Sequence, residues 1–235
     1  MPWMFPGKTL RDVIQNETKI LQGKAGQKVF DLAAEKGFHM VALHGLSPNV
    51  VFSTKPIKSL ADFKGKKFRV VPGKEHTGTF SDWGALATPM AFSEVYTSLQ
   101  QGVIQGVEDP PDVSINMNFQ EVAPYVAVTK HNAFVEYYLV SKKWYDSLPA
   151  DLQKVVDEAG QEMIQKGTQA YMKSEGGALD KLRAMDKVTV TDFPQSELDK
   201  MKQLNQDGIW KTIEKDPQKG PILKLLQQDI KDQLK

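Results

Sequence analysis

An α/β fold is predicted by three features of the sequence. Apolar, strand-like runs alternate with segments of helical period, glycine and proline punctuate the junctions, and no internal repeat or low-complexity tract competes. At 235 residues and 40% hydrophobic content, the chain can build one large domain or two small lobes. A net charge of +1, with no basic block standing clear of acidic neighbours, argues against a nucleic-acid partner. No apolar run approaches the roughly 20 residues that cross a bilayer. The absence of cysteine excludes disulfides, thiolate metal sites and a cysteine nucleophile, but leaves the compartment open.

Residues 8–22 and 26–36 read as two helices separated by Gly23 and Gly26, with Leu10, Val13, Ile14, Ile20 and Leu21 forming an apolar stripe. Gly37 ends the second. Phe38 to Leu43 and Val50 to Thr54 read as strands, with Gly45, Ser47 and Pro48 as a crossing between them. Ser59 caps a short helical turn before Gly65, and Lys66 to Val71 reads as a strand. After Pro72 the segment GKEHTG reads as a loop leading into a helix over Ser81 to Leu86. Ser93, Tyr96 and Leu99 mark a further helix ended by Gly102. Val126 to Val140 holds two extended stretches on either side of His131 and Asn132. Pro149 suits the first turn of a long helix whose Leu152, Val155, Val156, Ala159 and Met163 share a face. Lys187 to Thr191 reads as a last strand, and Pro221 opens an amphipathic terminal helix.

Arg69 is the most telling residue. The chain has 30 basic residues, yet its arginines are Arg11, Arg69 and Arg183, and Arg69 lies among Phe68, Val70 and Val71 in a strand that looks buried. A planar two-pronged donor in such a place points to a carboxylate partner. Burying the charge without one would be costly. The partner is either an internal acid, Glu108 or Asp109, or an anionic ligand at the strand end, where open α/β sheets bind their ligands.

The stretches KPIKSLADFKGKKFRVVP (Lys55–Pro72) and MAFSEVYTSLQQGVIQGVEDPP (Met90–Pro111) carry a family resemblance. Pro56, Ile57, Asp62, Gly65, Lys67, Arg69, Val70 and Pro72 fall on the motif positions of the solute-binding proteins of tripartite ATP-independent periplasmic (TRAP) transporters. Pro89, Met90, Phe92, Glu94, Tyr96, Leu99, Gly102, Glu108 and Pro110 continue the match at preserved spacing. The similarity extends more weakly through SKKWYDSLPADLQKVV and beyond.

The resemblance implies a two-lobe, periplasmic-binding-protein-like α/β fold. Residues 1–46 and 135–174 would form lobe I, 47–134 and 175–220 lobe II, and 221–235 a C-terminal helix, with the long helix spanning both lobes. The start, MPWMFPGKTLRDV, has no signal peptide. It is similar instead to an interior stretch of the family, which implies that lobe II is nearly complete and that lobe I lacks its opening βαβαβ unit. Trp3 and Phe5 would belong to the lobe I core.

The resemblance also assigns the site. Arg69 matches the arginine that clamps the ligand carboxylate, and Phe92 matches an aromatic or apolar wall, although Met90 and Phe92 also alternate as core strand residues do. Asp109 departs from the family's asparagine: an ionised aspartate only accepts hydrogen bonds and would repel a ligand carboxylate. It would face a ligand hydroxyl or amine, join Glu108 about a cation such as Na⁺ or Ca²⁺, or turn away to pair with Arg69. His76, beside Glu75 in the loop after the Arg69 strand, is within reach of a ligand. Asn49 replaces the second arginine of sialic-acid binders, which argues against that ligand. Trp83 and Phe80 read as core.

Other motifs fail. Gly7–Lys8–Thr9 lacks the glycine five residues earlier that a phosphate loop needs, since Pro2 stands there. His39, His44, His76 and His131 show no zinc spacing, and no GxSxG elbow appears. The expectation is therefore a receptor and not an enzyme. It would be periplasmic, bind a small carboxylate between two lobes, close on it by a hinge and deliver it to TRAP membrane permease subunits. The rival expectation is a self-associating, homodimeric interaction module that covers the apolar surface left by a missing unit.

Overall fold

The computed structural model describes residues 2–234. Its helices are α1 (Leu10–Leu21), α2 (Lys24–Glu35), α3 (Lys74–Asp82), α4 (Val95–Gln100), α5 (Pro111–Asn116), α6 (Phe119–Val122), α7 (Lys142–Asp146), α8 (Ala150–Arg183), α9 (Gln195–Asn205), α10 (Lys211–Glu214) and α11 (Lys219–Gln233). Its strands are β1 (Phe38–Gly45), β2 (Val50–Ser53), β3 (Lys67–Val70), β4 (Leu86–Pro89), β5 (Gly106–Asp109), β6 (Tyr125–Val128), β7 (Val135–Ser141) and β8 (Thr189–Asp192). They form two compact units. One takes residues 2–4, Pro48–Asn132 and Ser174–Lys215; the other takes Phe5–Ser47, Ala133–Lys173 and residues 216–234.

The first unit is built on a six-stranded mixed sheet of order β4-β3-β5-β2-β6-β8, in which β2 runs antiparallel to both its neighbours. Because side chains alternate along a strand, the sheet has two separate apolar faces. Val51, Phe68, Val70 and Ala127 pack with Phe63, Phe80, Trp83, Leu198 and Met201 on one. Val50, Phe52, Val107, Val126 and Val128 pack with Val95, Leu99, Phe119 and Leu182 on the other. Gly106 permits the close approach of β3 to β5: a Cβ there would lie 2.5 Å from a Phe68 ring carbon and 2.7 Å from the Phe52 carbonyl oxygen.

In the second unit, β1 and β7 form an antiparallel ribbon with a bulge between Met40 and Ala42. Thr9 and Asp12 form a capping box at the start of α1. Its buried Leu21 packs with Met40 and Leu43, with Val29, Phe30 and Ala33 of α2 and with Leu226 of α11. Gly160 lets α8 lie against the Val41 carbonyl, where a Cβ would collide. No helix among the described residues is long and apolar enough to cross a membrane.

Several local expectations change. GKEHTG is not a loop: α3 already begins at Lys74, and Gly78 is a packing glycine, since a Cβ there would lie 2.5 Å from Ile209 Cδ1. Leu86, read as the end of a helix, opens strand β4. Trp3 packs in the six-stranded unit instead of with the lobe I residues. Its ring lies 5.8 Å from Trp83 and its indole N–H donates to the Thr129 carbonyl at 3.2 Å, which satisfies a polar group that a purely apolar site would strand. Phe80 and Trp83 are core, as read.

Candidate functional site

Strand β5 carries two consecutive acids, and the alternation of an extended strand sends them to opposite faces. Glu108 pairs in register with Val51 and so points to the Phe80–Trp83 face; Asp109 pairs with Val50 and points to the Val107–Phe119 face. Arg69, in register with Val107, shares the face of Asp109.

Glu108 is fully buried and fully paired. His76 Nδ1 lies 2.6 Å from Oε1; His131 Nε2, Asn49 Nδ2 and Asn132 Nδ2 reach Oε2 at 3.0, 3.0 and 3.2 Å. Burial alone would raise this carboxyl. Hydrogen bonds from His131 and His76 and the favourable electrostatics of the two rings outweigh it and hold the group well below the usual carboxylate range. His131 is itself buried, which lowers its pKa, with Glu108 opposing. It therefore sits as the neutral Nε2–H tautomer: Nε2–H donates to Glu108 and Nδ1 accepts from the Thr129 hydroxyl at 2.7 Å. Lys130, in a left-handed conformation at φ 48°, turns the chain so that His131 points inward.

The other face is incompletely paired. Arg69 is buried, at 3% exposure, and its Nε donates to the Met90 carbonyl at 3.3 Å. Its guanidinium carbon lies 5.5 Å from the centre of the Phe92 ring, which in turn meets Phe119 edge-on at 5.8 Å. Among the described residues Arg69 makes no ion pair: it senses the charge of Asp109 and Glu108, but neither closes on it. Burial lowers the Arg69 pKa, and the two acids oppose that shift. Asp109 is 5% exposed, and its buried Oδ2 has no hydrogen-bond partner among the described residues. Burial is the main reason its pKa is pushed up to about 8; Arg69 pulls it down, while Glu108 and Asp112 push it further up. Burial therefore favours the neutral form of Asp109 over the ionised form expected from the sequence.

The structure thus brings together Arg69, Phe92 and Asp109 and sets Glu108 and His76 behind the strand. Joint coordination of one cation by Glu108 and Asp109 does not fit their opposite directions. Among the described residues no group of three or more His, Cys, Asp or Glu side chains is placed to hold a metal ion. Asn49 lies in the Glu108 cluster. A surface depression of about 800 Å³, lined by residues including Glu121, Pro124, Met185 and Lys187, contains none of these residues. Sequence reasoning missed His131 and Asn132 as partners of Glu108. The signal was there in a polar His–Asn pair set between two apolar strands.

Residues 1–216 match the family described as bacterial extracellular solute-binding protein, family 7. A solute-binding protein of Verminephrobacter eiseniae is 35% identical over 164 residues, 68% of this chain and 47% of that protein. The chain spans about half the length of the curated relatives it matches. Among solved structures, the periplasmic ectoine-binding protein of the TeaABC TRAP transporter of Halomonas elongata is 25% identical with a TM-score of 0.88, over 98% of this chain and 75% of that one. A TRAP periplasmic solute-binding protein of Desulfovibrio salexigens with bound orotic acid is 28% identical with a TM-score of 0.87, over 98% and 73%.

Proposed function

The chain belongs to the bacterial extracellular solute-binding proteins of family 7, and from that premise we propose that it is a periplasmic receptor that captures a small organic acid and delivers it to a TRAP membrane permease. Its work is binding, not catalysis. Arg69 grips the ligand carboxylate through its terminal nitrogens, Phe92 flanks the guanidinium, and Asp109 meets a further polar group of the ligand. Glu108 and His76 serve the site from behind the strand by fixing its frame.

The observation that carries this reading is Arg69 itself, a buried guanidinium that is braced by a carbonyl and a ring yet has no ion-pair partner among the described residues. A charge kept in that state is prepared for an anion from outside. The ligands named for the two similar structures, ectoine and orotic acid, are both carboxylates, which supports the same class here.

The test is a thermal-shift screen of organic acids with and without Ca²⁺, followed by calorimetry on Arg69→Lys. A true ligand raises the melting temperature through mass action. Arg69→Lys keeps the charge and loses the fork, so affinity should fall at least about tenfold, roughly 1.4 kcal/mol. Unchanged affinity in that variant would remove the clamp assignment. A screen in which no organic acid shifts the melting temperature would remove the receptor reading.

A further inference from the structure

We propose that Asp109 meets the bound organic anion as a neutral carboxylic acid, its O–H donating to a ligand oxygen, so that capture of the anion is linked to a proton held on this residue. The proposal rests on the receptor reading and deepens it by assigning the chemistry of the second contact.

Geometry leads to it. Asp109 is 5% exposed, on the same sheet face as Arg69, and its buried Oδ2 is without a partner among the described residues. Its charged neighbours are Arg69 from β3, Glu108 in β5 and Asp112 from α5. Glu108 is already fixed as an anion by four donors. Asp109 and Glu108 therefore already act on the one guanidinium before any ligand arrives, and Asp112 adds a third negative charge acting on Asp109. An incoming carboxylate would add a fourth. With Asp109 ionised, the ligand and Asp109 would compete for Arg69 and repel each other; with a proton on Asp109, the repulsion goes and an acceptor becomes a donor. Burial, the largest influence on this group, already holds the proton on it up to about pH 8. An anion bound beside it pulls the pKa higher still, so binding above that pH takes one proton from solvent onto Asp109.

The preferred ligand class follows from the direction of the bond. The ligand should offer an oxygen acceptor, a carbonyl or a second carboxylate oxygen, next to the carboxylate gripped by Arg69. An ammonium or amine group there would find a donor facing a donor.

The experiment has two arms on the full chain. In the first, infrared spectra of the ligand-free protein are compared with those of Asp109→Asn, which keeps shape and a donor but cannot titrate. The parent should show a carboxylic-acid carbonyl band at about pH 6.5 that is missing from the variant and fades in the parent toward about pH 10. Identical spectra would overturn the proposal. In the second, orotate and malate are titrated calorimetrically across that range in phosphate and in Tris. The parent's affinity should fall by up to about tenfold per unit above pH 8, with heats that depend on the buffer, while the variant's should stay flat. Parallel pH profiles in parent and variant would also overturn it. If neither probe binds, the receptor reading is what loses support, and the infrared arm still decides the state of Asp109.

Discussion

Glu108 and Asp109 are neighbours in one strand and both buried, yet the two faces of the sheet treat them in opposite ways. On one face, four donors converge on Glu108 from α3, from the approach to β2 and from the turn after β6. On the other, Asp109 and Arg69 lie close enough to feel each other's charge and remain unjoined. Folding frames satisfy their buried polar groups; binding sites leave a few for the ligand. The contrast teaches that one residue of register separates an acid satisfied within the fold from one that the fold leaves unsatisfied.

The comparison breaks most easily at Glu108. Glu108→Gln removes the charge that four donors share and puts an amide nitrogen among them, so either an N–H loses its partner or the His76 ring must change tautomer to accept from it. Removing one member of a buried charged network costs about 3–5 kcal/mol. Urea unfolding should show a loss of that order, and a loss below about 1 kcal/mol would mean that the cluster is no frame at all.

Much of this frame was legible in the sequence, and the exceptions have physical causes. The strands at Phe38, Val50 and Lys66, the capped turn at Ser59 and the long helix after Pro149 all stand out through apolar pattern and punctuation. Strand β5 did not, because Gly–Val–Glu–Asp has one apolar residue in four and no visible alternation. Helix α3 was obscured by Gly73 and Gly78, of which the second serves close packing against Ile209. The candidate site was legible through Arg69, whose residue type is at odds with its apolar neighbours. The direction of Glu108 could not be read, because it depends on a strand register that only the folded sheet fixes.

The two acids should also respond to pH with opposite sign. Asp109 has a folded-state pKa of about 8, above its unfolded value near 3.8. Between those values the folded chain holds a proton that the unfolded chain has released, so this contribution to stability is complete below about pH 4 and is lost as pH rises through about 8. Glu108 and His131 are both lowered. Their contributions are present above the ordinary ranges of Glu and His and are lost as pH falls through their depressed folded values. Asp109→Asn should therefore gain stability over the parent as pH rises, by up to a few kcal/mol above about pH 8. The gain should vanish near pH 4. Melting curves of both proteins across this range measure it, and a constant offset at every pH would show that Asp109 does not titrate anomalously.

The smallest expected effect sharpens the same contrast at Phe92. This ring is 36% exposed, packs edge-on against the buried Phe119 and lies beneath the Arg69 guanidinium. Were it ordinary core, Phe92→Leu would mainly cost stability; as a brace for Arg69, it should mainly cost affinity. A partly exposed cation–π contact is worth about 0.5–1 kcal/mol, a change of roughly two- to fivefold in the dissociation constant of a carboxylate. The stability loss should stay below about 1 kcal/mol, because leucine refills most of the apolar contact with Phe119. Calorimetry and urea unfolding on the one variant separate the two roles. Affinity held at the parent's level with a stability loss above about 2 kcal/mol would move Phe92 from the binding face to the core.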